Sequence, residues 1–329
     1  MNRALIFAHY DRDGLVSDAV LYALTAYRQY FTTVYFVTVS DLAHDQIEKL
    51  RDVADRVMVR PNRGYDFGSW KEGFARLPDS AQYDEVIFAN DSTFGPITDI
   101  GQFLSRSEQL GADLWGATIN RQFRPHVQSY FMAFRRVLIT SGFARQFWNS
   151  VHEVSDKNTL IWQFEVGLSD RVQAAGFKIG AVADLGSVTP AVRHRAAADN
   201  RLLQERTVAT DPRMRHLYEA EPSPVQFFWG EGLRLGNPFV KVELLRDNPP
   251  GADLQKVSEA IVASKRFDLD FIRSYFERVA PSAAWLAVDA RSRKRWPRVR
   301  KLLEDVLDDL RGREASARNV FRDEDRRVS

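Results

Sequence analysis

Short apolar runs and helical repeats alternate along the first half of this chain, an order that few folds accept. "ALIFAHY" (4–10) precedes "VSDAVLYALTAYRQYF", where Val16, Val20, Ala23 or Leu24, and Tyr27 recur at helical spacing. "TVYFVTV" (33–39) is rich in β-branched and aromatic residues, as strands are. The polar helix "LAHDQIEKLRDVA", the strand "RVMVRPN", the helix "YDFGSWKEGFARL" and the strand "EVIFAND" follow, then "ITDIGQFLSRSEQLG" and "DLWGATI". Units repeating every roughly 25 to 30 residues predict an α/β fold, a mainly parallel Rossmann-like sheet flanked by helices. Ligands of such sheets collect at the carboxyl ends of the strands. Those ends read His9-Tyr10-Asp11, Ser40-Asp41, Asn62-Arg63-Gly64 and Asn90-Asp91-Ser92, all polar and all expected on one rim.

After residue 120 the alternation loosens. "QSYFMAFRRVLI" reads as a strand leading into a helix, "NTLIWQFEVGLSDRVQAAG" as an amphipathic helix ended by Gly176, and "FKIGAVAD" as a strand. Helices are expected at 253–264 and 267–280. This divides the chain into a sheet domain over 1–250, a helical C-terminal extension over 251–290 and a charged tail over 291–329. In the tail, "RSRKRWPRVRK" carries seven basic residues in eleven. Cysteine is absent, which excludes disulfides and thiolate metal sites. No apolar run is long enough for a transmembrane helix, and the N-terminus reads as a first strand rather than a signal peptide. A net charge of +2 makes no whole-molecule case for nucleic acid, so none is expected as a partner.

Two stretches carry chemistry. In "RPNRGYDFGSW", Gly64 sits between a strand and a helix, where a small residue lets a phosphate or ribose approach the backbone. Arg63 would meet an anionic group and Asp66 a ribose hydroxyl, unless the stretch is an ordinary turn with Asp66 capping the helix. Asn90, Asp91 and Ser92 either help hold a divalent cation against a diphosphate or form an Asx-turn that ends the strand. Neither a G-x-G-x-x-G nor a P-loop follows the first strand, which argues against NAD binding and ATP cleavage.

Five ordered blocks, "HYD", "NRGYDFGSWKEGF", "DEVIFANDSTFGP", "HVQSYFMAFRRVL" and "NPFVKVELLRDNP", resemble the rhamnan synthesis protein F family of bacterial polysaccharide assembly, over residues 3 to 250. The order is also similar to that of nucleotide-sugar glycosyltransferases with a GT-A fold. The resemblance implies a nucleotide-sugar donor (dTDP-, UDP- or GDP-linked) bound by His9, Tyr10, Asp11, Arg63, Gly64, Asp66, Asn90 and Lys241. It implies Mg²⁺ or Mn²⁺ at Asp91 and Ser92, and a sugar pocket lined by His126, Gln128, Ser129 and Asn237. In "FEVGLSDRVQAAGFKIGAV", Glu165 takes the place of the catalytic base. Two departures stand out. The usual Asp-x-Asp is Asn90-Asp91-Ser92, with one carboxylate, and the usual Glu-Asp pair is Glu165-Val166.

One base without a nucleophile implies direct displacement with inversion, the base taking the acceptor hydroxyl proton. Charge on the departing diphosphate would be stabilised by a metal, Arg or Lys, a task shared by Arg63, Lys241 and Asp91 with its metal. The family implies transfer of rhamnose or a similar deoxyhexose to a surface polysaccharide or lipid-linked oligosaccharide on the cytoplasmic side. His194 is a candidate late metal ligand. Residues 291–301 with Trp296 suit either an anionic membrane surface or open solvent. The competing readings are a non-catalytic scaffold of the same fold and a nucleic-acid binder acting through 291–301.

Overall fold

A computed structural model describes residues 1–154, 156–186, 189–198, 200–201 and 223–292. The basic tail beyond Ser292, Trp296 included, lies outside the described residues, and the membrane reading with it.

The strands are β1 Arg3–His9, β2 Thr33–Thr38, β3 Arg56–Val59, β4 Glu85–Asn90, β5 Thr93–Phe94, β6 Leu114–Gly116, β7 Ile119–Asn120, β8 His126–Val127, β9 Phe131–Arg135, β10 Ile179–Ala181 and β11 Val240–Lys241. Seven of them form one sheet in the order β10-β6-β9-β4-β1-β2-β3. β1 pairs in parallel with β2 and β4, and β3 with β2. Every residue of β1 is buried, as continuous apolar strands covered on both sides must be. Period-two alternation then splits it: Ala4, Ile6 and Ala8 enter one core with Trp70, Trp148 and Phe164, whereas Leu5 and Phe7 enter the other with Leu24, Phe103 and Trp115. The expected α/β class and mainly parallel, helix-flanked sheet are therefore what the chain forms.

One strand departs from parallel. β9 runs antiparallel to both β4 and β6. Its amino end thus lies where the neighbouring strands have their carboxyl ends. This brings the loop ahead of β9, residues 128–130, to the rim that already carries the ends of β1 to β4. The helix Asp18–Arg28 buries Ala19, Val20, Ala23, Leu24 and Tyr27, as its spacing predicted, and Ser17 caps it by accepting from the Val20 amide. The polar helix expected after Ser40 is only one turn and a half, His44–Glu48.

The helices Leu254–Ser264 and Leu269–Val279 stand close to their expected positions. They are not a detached extension, for they share a core with Ala19, Phe94, Ile97 and Val240. Phe94 meets Phe276 edge to face at 5.6 Å, and Tyr22 meets Phe267 at 5.1 Å.

Candidate functional site

The rim is built by three turns that close on one another. At Gly64 the chain adopts φ +71°, a conformation natural to glycine, and Tyr65 follows at +51° to open the helix Tyr65–Ala75. Arg60 braces this turn by donating to the Arg63 carbonyl at 2.6 Å and to Ser69 Oγ at 3.3 Å. Asp66 does not cap the helix through its side chain. It accepts from Asn90 Nδ2 at 2.8 Å, tying the first turn to the second. Burial holds the Asp66 carboxyl above the ordinary carboxylate range, against the pull of that bond.

The second turn is the end of β4. Asn90 Oδ1 accepts from the Ser92 amide at 3.1 Å and from its hydroxyl at 2.6 Å, the Asx-turn that the polar triplet suggested. β5 and β11 then pair antiparallel, Lys241 opposite Thr93, and Lys241 Nζ donates to Ser92 Oγ at 2.8 Å. The ammonium also sits 5.2 Å above the Tyr130 ring. Burial pulls its pKa down, while Glu165 and Asp66 favour the charge.

The third turn precedes β9. Ser129 donates to Glu165 Oε2 through its amide at 2.9 Å and also through its hydroxyl. His126 Nε2 lies 3.5 Å from Glu165 Oε1, and its Nδ1 faces the Arg124 carbonyl at 2.7 Å. A carbonyl must receive a proton from Nδ1, so the Nε2–Oε1 contact has a single proton to share between imidazole and carboxylate. Burial opposes charge on both groups, yet their bonds outweigh it. The carboxyl of Glu165 is held below the usual range and the imidazole of His126 above it. Glu165 lies in a π-helical stretch, Ile161–Val166, within the expected helix. Such one-turn departures often mark functional positions.

These turns enclose a cleft of about 320 Å³. It is lined by Asp66, Asn90, Ser92, His126, Gln128, Ser129, Glu165 and Lys241, and by Tyr130 and Lys157, which the sequence reading did not single out. Gln128 accepts from Thr118 Oγ1 at 2.8 Å, which fixes its amide.

The remaining candidates are placed elsewhere. His9, Tyr10, Asp11 and Asp91 border a separate cavity of only about 20 Å³, closed by Tyr275. His9 is buried against Phe36 and bonded to Thr38 Oγ1 at 3.0 Å; burial lowers its pKa to about 4, so it is neutral. Asp11 is held by Arg278 of the helix Leu269–Val279 at 2.9 and 2.5 Å and accepts from the Asp13 and Leu15 amides. Arg278, far away in the sequence, is thus the partner of Asp11 in this structure. Arg63 is exposed, 3.9 Å from Glu153. Asn237 is buried in the turn before β11, where it bonds the Phe239 backbone, and it does not line the cleft. His194 is exposed on the helix Pro190–Ala197 and does not line the cleft either.

The fit of a divalent cation rests on Asp91. Its Oδ2 accepts from the Tyr10 amide at 2.8 Å, and among the described residues it makes no ion pair. Burial, and next the charge of Asp66, push its pKa up to about 8. Of the two expected ligands, Asp91 borders the small cavity, whereas Ser92 lines the cleft and its Oγ already receives the Lys241 ammonium at 2.8 Å, so Asp91 is the one carboxylate left to meet a cation there. No cluster of three or more His, Asp or Glu metal ligands exists among the described residues, so the remaining ligands would have to be phosphate oxygens or water.

The chain resembles Virulence protein VirA of Vibrio anguillarum, with 26% identity over 66% of this chain and 71% of that protein. It also resembles the uncharacterized protein y4gN of Sinorhizobium fredii, with 27% identity over 43% of this chain and 38% of that one. Among solved structures it matches glucosyl-3-phosphoglycerate synthase from Mycobacterium tuberculosis in complex with Mn²⁺, UDP and phosphoglyceric acid. There the TM-score is 0.36 and identity 13%, over 62% of this chain and 76% of that one. A cytidylyltransferase from Leptospira borgpetersenii matches at TM-score 0.31 and 10% identity, over 72% and 97% of the two chains. Likeness at these scores decides nothing about activity. The sequence match is of another order: the model of rhamnan synthesis protein F aligns with residues 34–207, more than half of the chain. The protein belongs to the rhamnan synthesis protein F family.

Proposed function

We propose that this chain is an inverting glycosyltransferase that moves a sugar, rhamnose or a related deoxyhexose, from a nucleoside diphosphate to a hydroxyl of a growing surface glycan. The observation that carries the reading is the cleft itself. It sets a carboxylate held by Ser129 and His126 opposite an ammonium held by Ser92. Glu165 would receive the acceptor hydroxyl proton as the acceptor oxygen bonds to the anomeric carbon. The anomeric carbon–oxygen bond breaks at the same time, and the nucleoside diphosphate leaves with the electron pair. His126, whose Nε2–H faces Oε1, holds that carboxylate ionised and oriented to receive the proton. Lys241 faces the charge that develops on the diphosphate, in a partly buried site where such stabilisation is strongest. A divalent cation held by Asp91 would supply further neutralisation of the leaving group.

Thermal shift with the dTDP, UDP and GDP series, in Mn²⁺ and in EDTA, tests donor binding. One nucleotide series should raise the melting temperature; a ligand at 100 times its dissociation constant adds about 2.7 kcal/mol. E165Q should retain that shift and lose donor turnover by roughly 10²- to 10⁴-fold. No shift with any nucleotide defeats the proposal, and turnover undiminished in E165Q removes Glu165 from it.

A further inference from the structure

Two large aromatic rings stand in solvent at one edge of the cleft. Phe123 is 53% exposed and Trp162 48% exposed, and their ring centroids lie 4.7 Å apart with 42° between the planes. Phe123 lines the cleft beside Asn120 and Gln122, whereas Trp162 continues the aromatic surface outside it. Trp162 lies three residues before Glu165 in the same π-helical stretch.

The loop that carries Phe123 is held from both sides. Arg121 meets Asp184 at 2.5 and 2.8 Å, and Arg124 meets Asp170 at 2.9 Å. Asn120 Oδ1 accepts from the Gln122 amide at 2.8 Å. A ring fixed in water by two ion pairs costs hydrophobic free energy that an apolar ligand face would recover. Sugars present such faces, with C–H bonds on one side of the ring and hydroxyls around the edge. Aromatic planes bind the first, and side-chain amides such as that of Gln122 both donate to and accept from the second.

We propose that Phe123 and Trp162 form an acceptor platform that binds the terminal sugars of a glycan chain and leads its end toward Glu165. This rests on the glycosyltransferase reading and adds to it the acceptor's position and length. Because the aromatic surface extends out of the cleft, it fits a saccharide of more than one unit.

The test is isothermal titration of the full chain with rhamnose, mannose, glucose and N-acetylglucosamine oligomers from one to six units. Nucleoside-diphosphate thermal shift is measured alongside. One sugar series should bind more tightly as it lengthens, and W162A and F123A should each cost about tenfold on the longer members. W162F should restore most of that loss, which a nonspecific structural defect would not allow. Binding independent of length, binding unchanged in both alanine variants, or no binding by any oligomer would overturn the platform. Loss of the nucleotide shift in W162A would also overturn it, by making the pair a base-stacking surface. Absent nucleotide shift with intact, Trp162-dependent glycan binding would instead defeat the transferase reading alone.

Discussion

His126 and Glu165 are each in the protonation state the other requires, which makes their contribution to stability depend on pH. Glu165, with its pKa lowered on folding, stabilises above its ordinary 4.5 and loses that contribution as pH falls through the lowered value. His126, with its pKa raised, contributes fully below its ordinary 6.5 and loses it as pH rises through the raised value. The two windows overlap between 4.5 and 6.5. Melting curves of wild type and H126Q should therefore differ most within that window and converge as pH rises through the raised value of His126; a difference that grows with pH would refute the ion pair. Gly68 makes a second residue-level case. A β-carbon there would lie 2.7 Å from the Arg63 carbonyl and 2.8 Å from Arg60 Nη2. G68A should lower stability by roughly 1–3 kcal/mol and weaken the nucleotide shift, because the Gly64 turn must move. A melting temperature within a degree of wild type would show that the turn yields freely.

Arg278 joins the helix Leu269–Val279 to the end of β1. Its side chain bonds Asp11 twice and Asp13 once, while its carbonyl accepts from Arg12. Removing it leaves the buried Asp11 carboxylate with backbone partners only. R278A should cost roughly 2–3 kcal/mol, less than a fully buried pair because the guanidinium is partly solvated. D11N in the same background should restore part of the loss, and additive effects in the double mutant would show that the two do not interact. This pairing spans almost the whole chain, and nothing in the local pattern around "HYDRDG" marks it. Local pattern does show the parallel strands, because β-branched runs and polar strand ends are written consecutively. It shows the Asx-turn at Asn90 for the same reason. It fails for β9, whose direction is set by its pairing with β4 and β6 rather than by its own residues. Nor does it show that Asn237 bonds the Phe239 backbone in the turn before β11. Phe123 and Trp162 were legible only as apolar residues, since exposure is a property of the assembled surface.

At the scale of the molecule, the boundary suggested near residue 250 meets a core that crosses it. Phe94, Ile97 and Val240, all buried, pack with Ile261, Phe276 and Trp285 from beyond that point. Trp285 is fully buried and donates to Ser258 Oγ at 2.8 Å. Cutting the chain after Pro250 would return at least three large apolar side chains to water. At about 1.5–3 kcal/mol each, that removes roughly 5–9 kcal/mol, comparable with the whole stability of an ordinary domain. A chain ending at 250 should therefore fail to melt cooperatively and should bind 8-anilinonaphthalene-1-sulfonate at room temperature. W285A in the full chain gives the gentler form of the same experiment. The substitution should cost about 3–5 kcal/mol, and the whole molecule should still unfold in one transition, followed equally by far-ultraviolet ellipticity and by the nucleotide-induced shift. Two separated transitions, with the early one silent to nucleotide, would mean that the C-terminal helices fold as an independent unit. A single lowered transition would mean that they complete the core beneath the β5–β11 pair, and so hold Lys241 against Ser92.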